Sequence, residues 1–443
     1  AGYGPPYGAP PPAAGRPVGL WLALITSSCV LVASLTALWF LLAPGAPERG
    51  PQAGGVLWSR PASGQGPQTH QEIPATWLVG TALVRGQADG VVAYEQATGK
   101  RLWGVPLPGD STITCAASGL ATGNVAIVGY GEPGTCDRLL AVDIKNGKRL
   151  WTAAIPYDKR QRLSEYSLPQ LSRSGEVVVV TLNGRSTAFR AADGRRLWQR
   201  ERFDGSCSVR GYVGGAALVG LAYCGERQLV RGVDPRTGRT VWTYRPAKGD
   251  IDEVIATDPV IVRVRDRDTD LDEFHVLDDR GKRRAVLSTE QGGEDGYQYG
   301  ATDTGDPPAE VAVSGDRLYL RTGDIDVPGR LAPTQRITAF DLTTGKALWT
   351  KGTDTGTDTR LTPRVLRADE QGVVAYEWSV IGDEVRLVRF GAATGEVTVL
   401  KRYRARIPVS LTFSSLAYEA GGRLFLVSSR ADDSDDVEIL ALG

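Results

Sequence analysis

Apolar and polar residues alternate in short runs along most of this chain, and each run ends in a cluster of turn-forming residues. Leu140 and Val142, or Ile337 and Ala339, sit two apart within such a run. A period of two marks a strand, because successive side chains leave the backbone on opposite faces. The same reading predicts strands over residues 76–86, 125–131, 176–182, 216–223, 260–266, 317–323, 373–379 and 423–429. One segment breaks the pattern. Residues 18–42, VGLWLALITSSCVLVASLTALWFLL, hold no charge and no alternation.

A repeated phrase organises the runs. AVDIKNGKRLW ends at Trp151, and VVAYEQATGKRLW, TAFRAADGRRLW, VRGVDPRTGRTVW and ITAFDLTTGKALW end at Trp103, Trp198, Trp242 and Trp349. Two copies without the Trp lie around Gly281 and Gly395. The Gly supplies the positive φ that a short hairpin turn demands. Asp143, Asp234 and Asp341, a few residues earlier, can bond the turn's own amides. The Trp carries a broad apolar face and an N–H that needs a partner when buried. Once per repeat, that suits docking one sheet on the next. Trp58, Trp103, Trp151, Trp198, Trp242 and Trp349 are the predicted docking residues.

Successive turn glycines lie 48, 47, 44, 43, 64 and 50 residues apart. Such a period holds about four strands of ~6 residues with their turns, the size of one propeller blade. The chain ends in EILALG, where a turn should follow, and GGVLW at residues 54–58 reads as the missing second half. A strand so placed would complete the last blade and remove a free sheet edge. The predicted fold is all-β: an eight-bladed β-propeller over residues 54–443, its composite last blade closed by an N-terminal strand, preceded by one transmembrane helix. The A-x-D-x-x-T-G-x-x-L-W phrase resembles the pyrroloquinoline-quinone (PQQ) repeat family over most of that range. The resemblance implies a β-propeller, often of eight blades. It implies no single activity, because the family includes quinoprotein dehydrogenases, envelope assembly lipoproteins and extracellular sensor domains.

Residues 18–42 would form a helix of ~37 Å, enough to cross a bilayer with some tilt. Trp21 and Trp39 sit near its ends, as interfacial aromatics do. The apolar core of a cleaved signal is shorter, about 7–15 residues, so an uncleaved anchor is predicted. Residues 1–17 are a Pro/Gly-rich tract that cannot bury a core. Residues 43–53 form a short linker that holds the propeller near the membrane. Cys29 falls in the apolar segment, whereas Cys115 and Cys207 stand at equivalent places in adjacent repeats, followed by Cys136 and Cys224. Two disulfides within adjacent blades are predicted, with buried free thiols as the alternative. Disulfides would place the propeller outside the plasma membrane and the N-terminus in the cytoplasm.

Charge excludes more than it suggests. With 51 basic and 51 acidic residues, there is no electrostatic case for a nucleic-acid partner. Two histidines, His70 and His275, are too few for a His-rich metal site. The resemblance implies, for a quinoprotein dehydrogenase, PQQ and Ca²⁺ on the propeller axis, an Asp base and commonly a disulfide between adjacent cysteines. No two Cys are adjacent here, so no catalytic, cofactor or metal residue is assigned. The longest repeat holds an insertion at residues 288–308, in which Glu290, Glu294, Asp295, Tyr297 and Tyr299 form an acidic and aromatic mixture suited to binding a partner. The acidic stretches 268–273 and 432–436 read as solvated turns. The expected function is a membrane-tethered, protein-binding scaffold component of the cell envelope. The alternative is the sensor domain of a Ser/Thr kinase-type signalling protein. A PQQ-dependent dehydrogenase is the weaker third.

Overall fold

The computed structural model describes residues 54–61 and, with short gaps, residues 76–443. The tail, the apolar segment 18–42 and the linker lie outside the described residues. Among those described, no helix is long and apolar enough to cross a membrane.

The alternating runs fold as antiparallel strands, each paired with its sequence neighbour. Six sheets follow in chain order: Thr76–Pro106, Ile113–Ala154, Gln170–Arg200, Ser208–Tyr244, Asp250–Leu287 and Tyr297–Lys351. The seventh, Leu361–Arg404, is joined to a closing group made of Ser415–Ala420, Arg423–Ser428, Ile439–Leu442 and Gly54–Arg60. Predicted and observed strands coincide at Val125–Gly131 and Val260–Asp266. The result is an all-β, propeller-like fold built from four-stranded units.

The two ends of the described chain meet in the closing group. Val56 pairs with Leu442 and Arg60 with Ile439, antiparallel. Gly55 donates to the Gly443 carbonyl at 2.9 Å and accepts from the Gly443 amide at 3.0 Å. Gly54 and Gly55 also run parallel to Tyr403 and Arg404, which fuses the seventh sheet to this group. An edge that would otherwise offer unpaired backbone groups is thereby covered.

Buried side chains lie between consecutive sheets rather than in one central core. Val84 and Val91 of the first sheet share a cluster with Val128 and Leu140 of the second. Phe425 and Ile439 of the closing group share one with Trp58, Leu83 and Val92, so the last unit packs on the first. Full burial of each such side chain contributes about 1.5–3 kcal/mol. The same boundary holds an ion pair, Arg85 Nε to Glu438 Oε1 at 3.2 Å, with Gln87 donating to Glu438 Oε2 at 3.0 Å.

The repeated phrase explains how neighbouring sheets dock. Asp143 Oδ1 accepts from the Lys145 amide at 2.9 Å, and Asp234 and Asp341 bond their own turns likewise. Each turn glycine rests on the Trp of the preceding unit: Gly99 on Trp58, Gly147 on Trp103, Gly194 on Trp151, Gly238 on Trp198, Gly281 on Trp242 and Gly395 on Trp349. The Trp58, Trp151, Trp198 and Trp349 indoles donate to the Gln96, Ala191, Pro235 and Ala392 carbonyls of the next unit, at 2.8–3.1 Å. The fifth sheet lacks the Trp, and there the backbone itself moves in: a methyl on Gly345 would lie 2.2 Å from the Val286 carbonyl. Opposite an Ala or Gly of the third strand, the outer strand bulges by one residue. Leu57, Leu102, Leu150, Val241 and Leu348 are displaced by that bulge and stand exposed.

Both predicted pairings form, but not in adjacent blades as expected, because the Gln170–Arg200 sheet lies between them. Cys115 bridges to Cys136 across the second sheet, and Cys207 to Cys224 across the fourth.

Candidate functional site

Among the described residues, the longest repeat departs most clearly from the regular pattern. The inner strand of the sixth sheet is split. Tyr297 and Gln298 pair with Thr322 and Arg321, whereas Ala312–Ser314 pair further along the same strand with Arg317–Tyr319. Between these halves the chain makes an excursion, closed at its base by the Glu310 amide bonding the Tyr299 carbonyl at 3.2 Å.

The described tip of this excursion touches inner elements of three other sheets. The Gly305 carbonyl accepts from the Gly214 amide of the fourth sheet at 2.8 Å. Gly305 packs so tightly that a methyl there would lie 2.4 Å from Ser172 Oγ of the third. Asp306 accepts from Ser118 Oγ at 2.8 Å and from the Gly119 amide at 2.5 Å, both following the inner strand of the second. A segment of the sixth sheet that reaches the second, third and fourth must cross the middle of the ring. Burial pushes the Asp306 carboxyl up to about 7, against the opposing pull of the Ser118 and Gly119 hydrogen bonds and of the Arg173 charge.

The base of the excursion is fixed as firmly as its tip. Tyr297 and Tyr299 are buried against Phe274, with Tyr297 also edge-on to Phe340. The Tyr297 hydroxyl bonds Thr338 Oγ1 at 3.4 Å, and Arg263 donates to the Tyr299 hydroxyl at 2.6 Å. Glu310 accepts from Arg321 Nε at 3.1 Å and from Arg364 of the seventh sheet. The sequence placed both tyrosines on a partner-binding surface; the structure puts them in the core, because the segment that carries them becomes the inner strand of a sheet. Glu290, Glu294 and Asp295 lie outside the described residues. The residues that sequence reasoning missed are Gly305 and Asp306, together with their receivers Ser118, Gly119 and Gly214. Their only advance signal was the length of the sixth repeat.

His275 lies buried between Tyr244 Oη of the fourth sheet and Glu273 Oε2, each at 2.7 Å. Among the described residues no group of three or more His, Cys, Asp or Glu side chains is arranged to hold a metal ion.

Four-stranded units in sequence, docked through Gly turns that rest, all but Gly345, on a neighbour's Trp, define a propeller of the PQQ-repeat class. The model of one family, described as outer membrane protein assembly factor BamB, matches residues 50–244, 160–351 and 226–430. The chain belongs to this PQQ-like repeat family. Similar solved structures include the quinohemoprotein alcohol dehydrogenase ADHIIG from Pseudomonas putida HK5, 14% identical, with a TM-score of 0.50 over 88% of this chain and 76% of that one. Another is the C-terminal WD40 domain of Sif2, 10% identical, with a TM-score of 0.51 over 89% of this chain and 99% of that one. At such identities the likeness is one of fold. Among curated proteins, none matches this chain.

Proposed function

We propose that this protein is a membrane-tethered, extracytoplasmic propeller of eight blades that binds a protein partner as a scaffold component of the cell envelope. The observation that carries this reading is the excursion ending at Gly305 and Asp306. Its described residues cross between the inner elements of the second, third and fourth sheets, toward the axis where the dehydrogenase branch of the family holds its quinone. A flat quinone with Ca²⁺ does not fit this arrangement. Asp306 is committed to Ser118 and Gly119, and Glu310 to Arg321 and Arg364. A ring crossed at its centre leaves its loops and rims for recognition. The family description, an outer membrane assembly factor, and two disulfides, one in the second sheet and one in the fourth, support an envelope location. The eight-blade count is supported by buried clusters at successive sheet boundaries, the last of which returns to the first sheet.

Crosslinking of the full chain in intact cells, followed by mass spectrometry, tests the reading. A reproducible envelope protein captured by the propeller supports it. Substrate-dependent dye reduction on adding PQQ and Ca²⁺ to the purified protein, with no protein captured, contradicts it.

A further inference from the structure

The hairpin turns between the third and fourth strands of successive sheets form a continuous row, because each turn glycine rests on the unit before it, on a Trp in six cases and on the Val286 backbone at Gly345. Their charge is uneven. Residues 95–101, 143–149, 190–196, 234–240 and 278–284 hold fourteen Lys and Arg against six Asp and Glu. The equivalent residues 341–347 and 391–397 of the sixth and seventh sheets hold one against two. The turns between first and second strands, at the same end, return only Glu176 and Asp258 within the five cationic sheets. Since the chain as a whole is neutral, this excess is a local concentration and not a property of the composition.

Two of these cations are ion-paired, Arg190 with Asp193 and Arg284 with Asp316, while other acids of the row bond backbone instead. Asp143, Asp234 and Asp278 turn inward onto their own turn amides, at 2.7–3.0 Å. Lys100, Arg101, Lys148, Arg149, Arg195 and Arg196 are exposed. Three residues past the turn glycine, Leu102, Leu150 and Val241 are exposed by the outer-strand bulge and stand beside those cations. Positive heads beside single apolar side chains suit a surface that is anionic outside and apolar just beneath.

We propose that this end of the ring docks on the anionic phospholipid headgroups of a membrane. Gly54 selects lipid over an acidic protein. In the closing group, Gly54 lies beside Gly443 where every other unit has its third-to-fourth turn. The chain preceding Gly54 therefore enters at the cationic end, and the uncharged segment 18–42 precedes it by only eleven residues. The choice of lipid rests on the proposed membrane tether; the charge row itself does not.

The test is lysine labelling of the full chain with a water-soluble amine reagent, in bilayers of phosphatidylcholine alone and of phosphatidylcholine with about 30% phosphatidylglycerol. Lys100, Lys148 and Lys282 are expected to label about five-fold more slowly in the anionic bilayer. The effect should vanish in ~0.5 M salt, where screening acts within a few ångströms. Lys248, in the connection at the opposite end, should label equally in both. The triple substitution Arg149→Glu, Arg195→Glu, Arg196→Glu should return Lys148 to its rate in neutral lipid. Equal labelling of Lys100, Lys148 and Lys282 in the two bilayers overturns the proposal. Retention on neutral bilayers at high salt reports the tether separately, and capture of a protein partner reports the scaffold reading.

Discussion

Trp103 lies directly against Gly147, so closely that a methyl carbon on the glycine would fall 2.5 Å from the indole ring. The glycine also holds φ at 65°, which an L side chain adopts only at a cost. Gly147→Ala therefore combines backbone strain with overpacking and is expected to destabilise the protein by about 3 kcal/mol. Gly80, with φ of 56° and nothing within 4 Å of an added methyl, is the control. Gly80→Ala should cost only about 1 kcal/mol. Urea denaturation of both variants measures the difference, which is the contribution of sheet docking.

The closing strand makes a sharper contrast between neighbours. Trp58 is buried against Tyr94 and Phe425, while Leu57, displaced by the bulge, is 42% exposed. Trp58→Ala is expected to cost about 3–5 kcal/mol, and Leu57→Ser to stay within about 0.5 kcal/mol. Thermal unfolding checks the pair. Equal effects would mean that the strand is not docked in this register.

Each disulfide closes a short loop, with sequence separations of 21 and 17. Replacing either pair by Ser should lower stability by about 3 kcal/mol on loop-closure entropy. Non-reducing peptide mapping should recover Cys115 with Cys136 and Cys207 with Cys224.

Asp306 gives the excursion a pH dependence. Its carboxyl titrates near 7 in the folded protein and near 3.8 when free, so the native state holds a proton that the unfolded state has released. The resulting stability is complete below about pH 4 and is lost as pH rises through about 7. Asp306→Asn should flatten that decline between pH 5 and 8, measured by denaturation at a series of pH values. An unchanged slope would assign the dependence to another group.

Most of this fold is legible in the sequence because its rules are local. The Asp and Gly of each turn, the alternation beside them and the Trp that follows act within a dozen residues, so the strand ends and the docking contacts could be read directly. The pairing of Gly54–Arg60 with Ile439–Leu442 was also readable, because each half lacks what the other supplies. The excursion was not. Ser118, Gly119 and Gly214 receive it through one hydroxyl and two backbone amides, which no spacing or composition marks. Tyr297 and Tyr299 misled for a related reason: aromatic residues among acids suit a surface, but here they become part of an inner strand and are buried by Phe274 of the preceding sheet and Phe340 of a later strand of their own. The cationic row is readable once the turns are known to share one end, which requires the ring.

The central claim is that the excursion crosses the middle of the ring to the sheets opposite, and amide hydrogen exchange at Gly119 and Gly214 tests it most directly. Both amides donate to the excursion, to Asp306 and to Gly305 respectively. Each should exchange at least ~100-fold more slowly than an unstructured amide. Exchange of both at the free-peptide rate, with the adjoining strands still protected, would contradict the account.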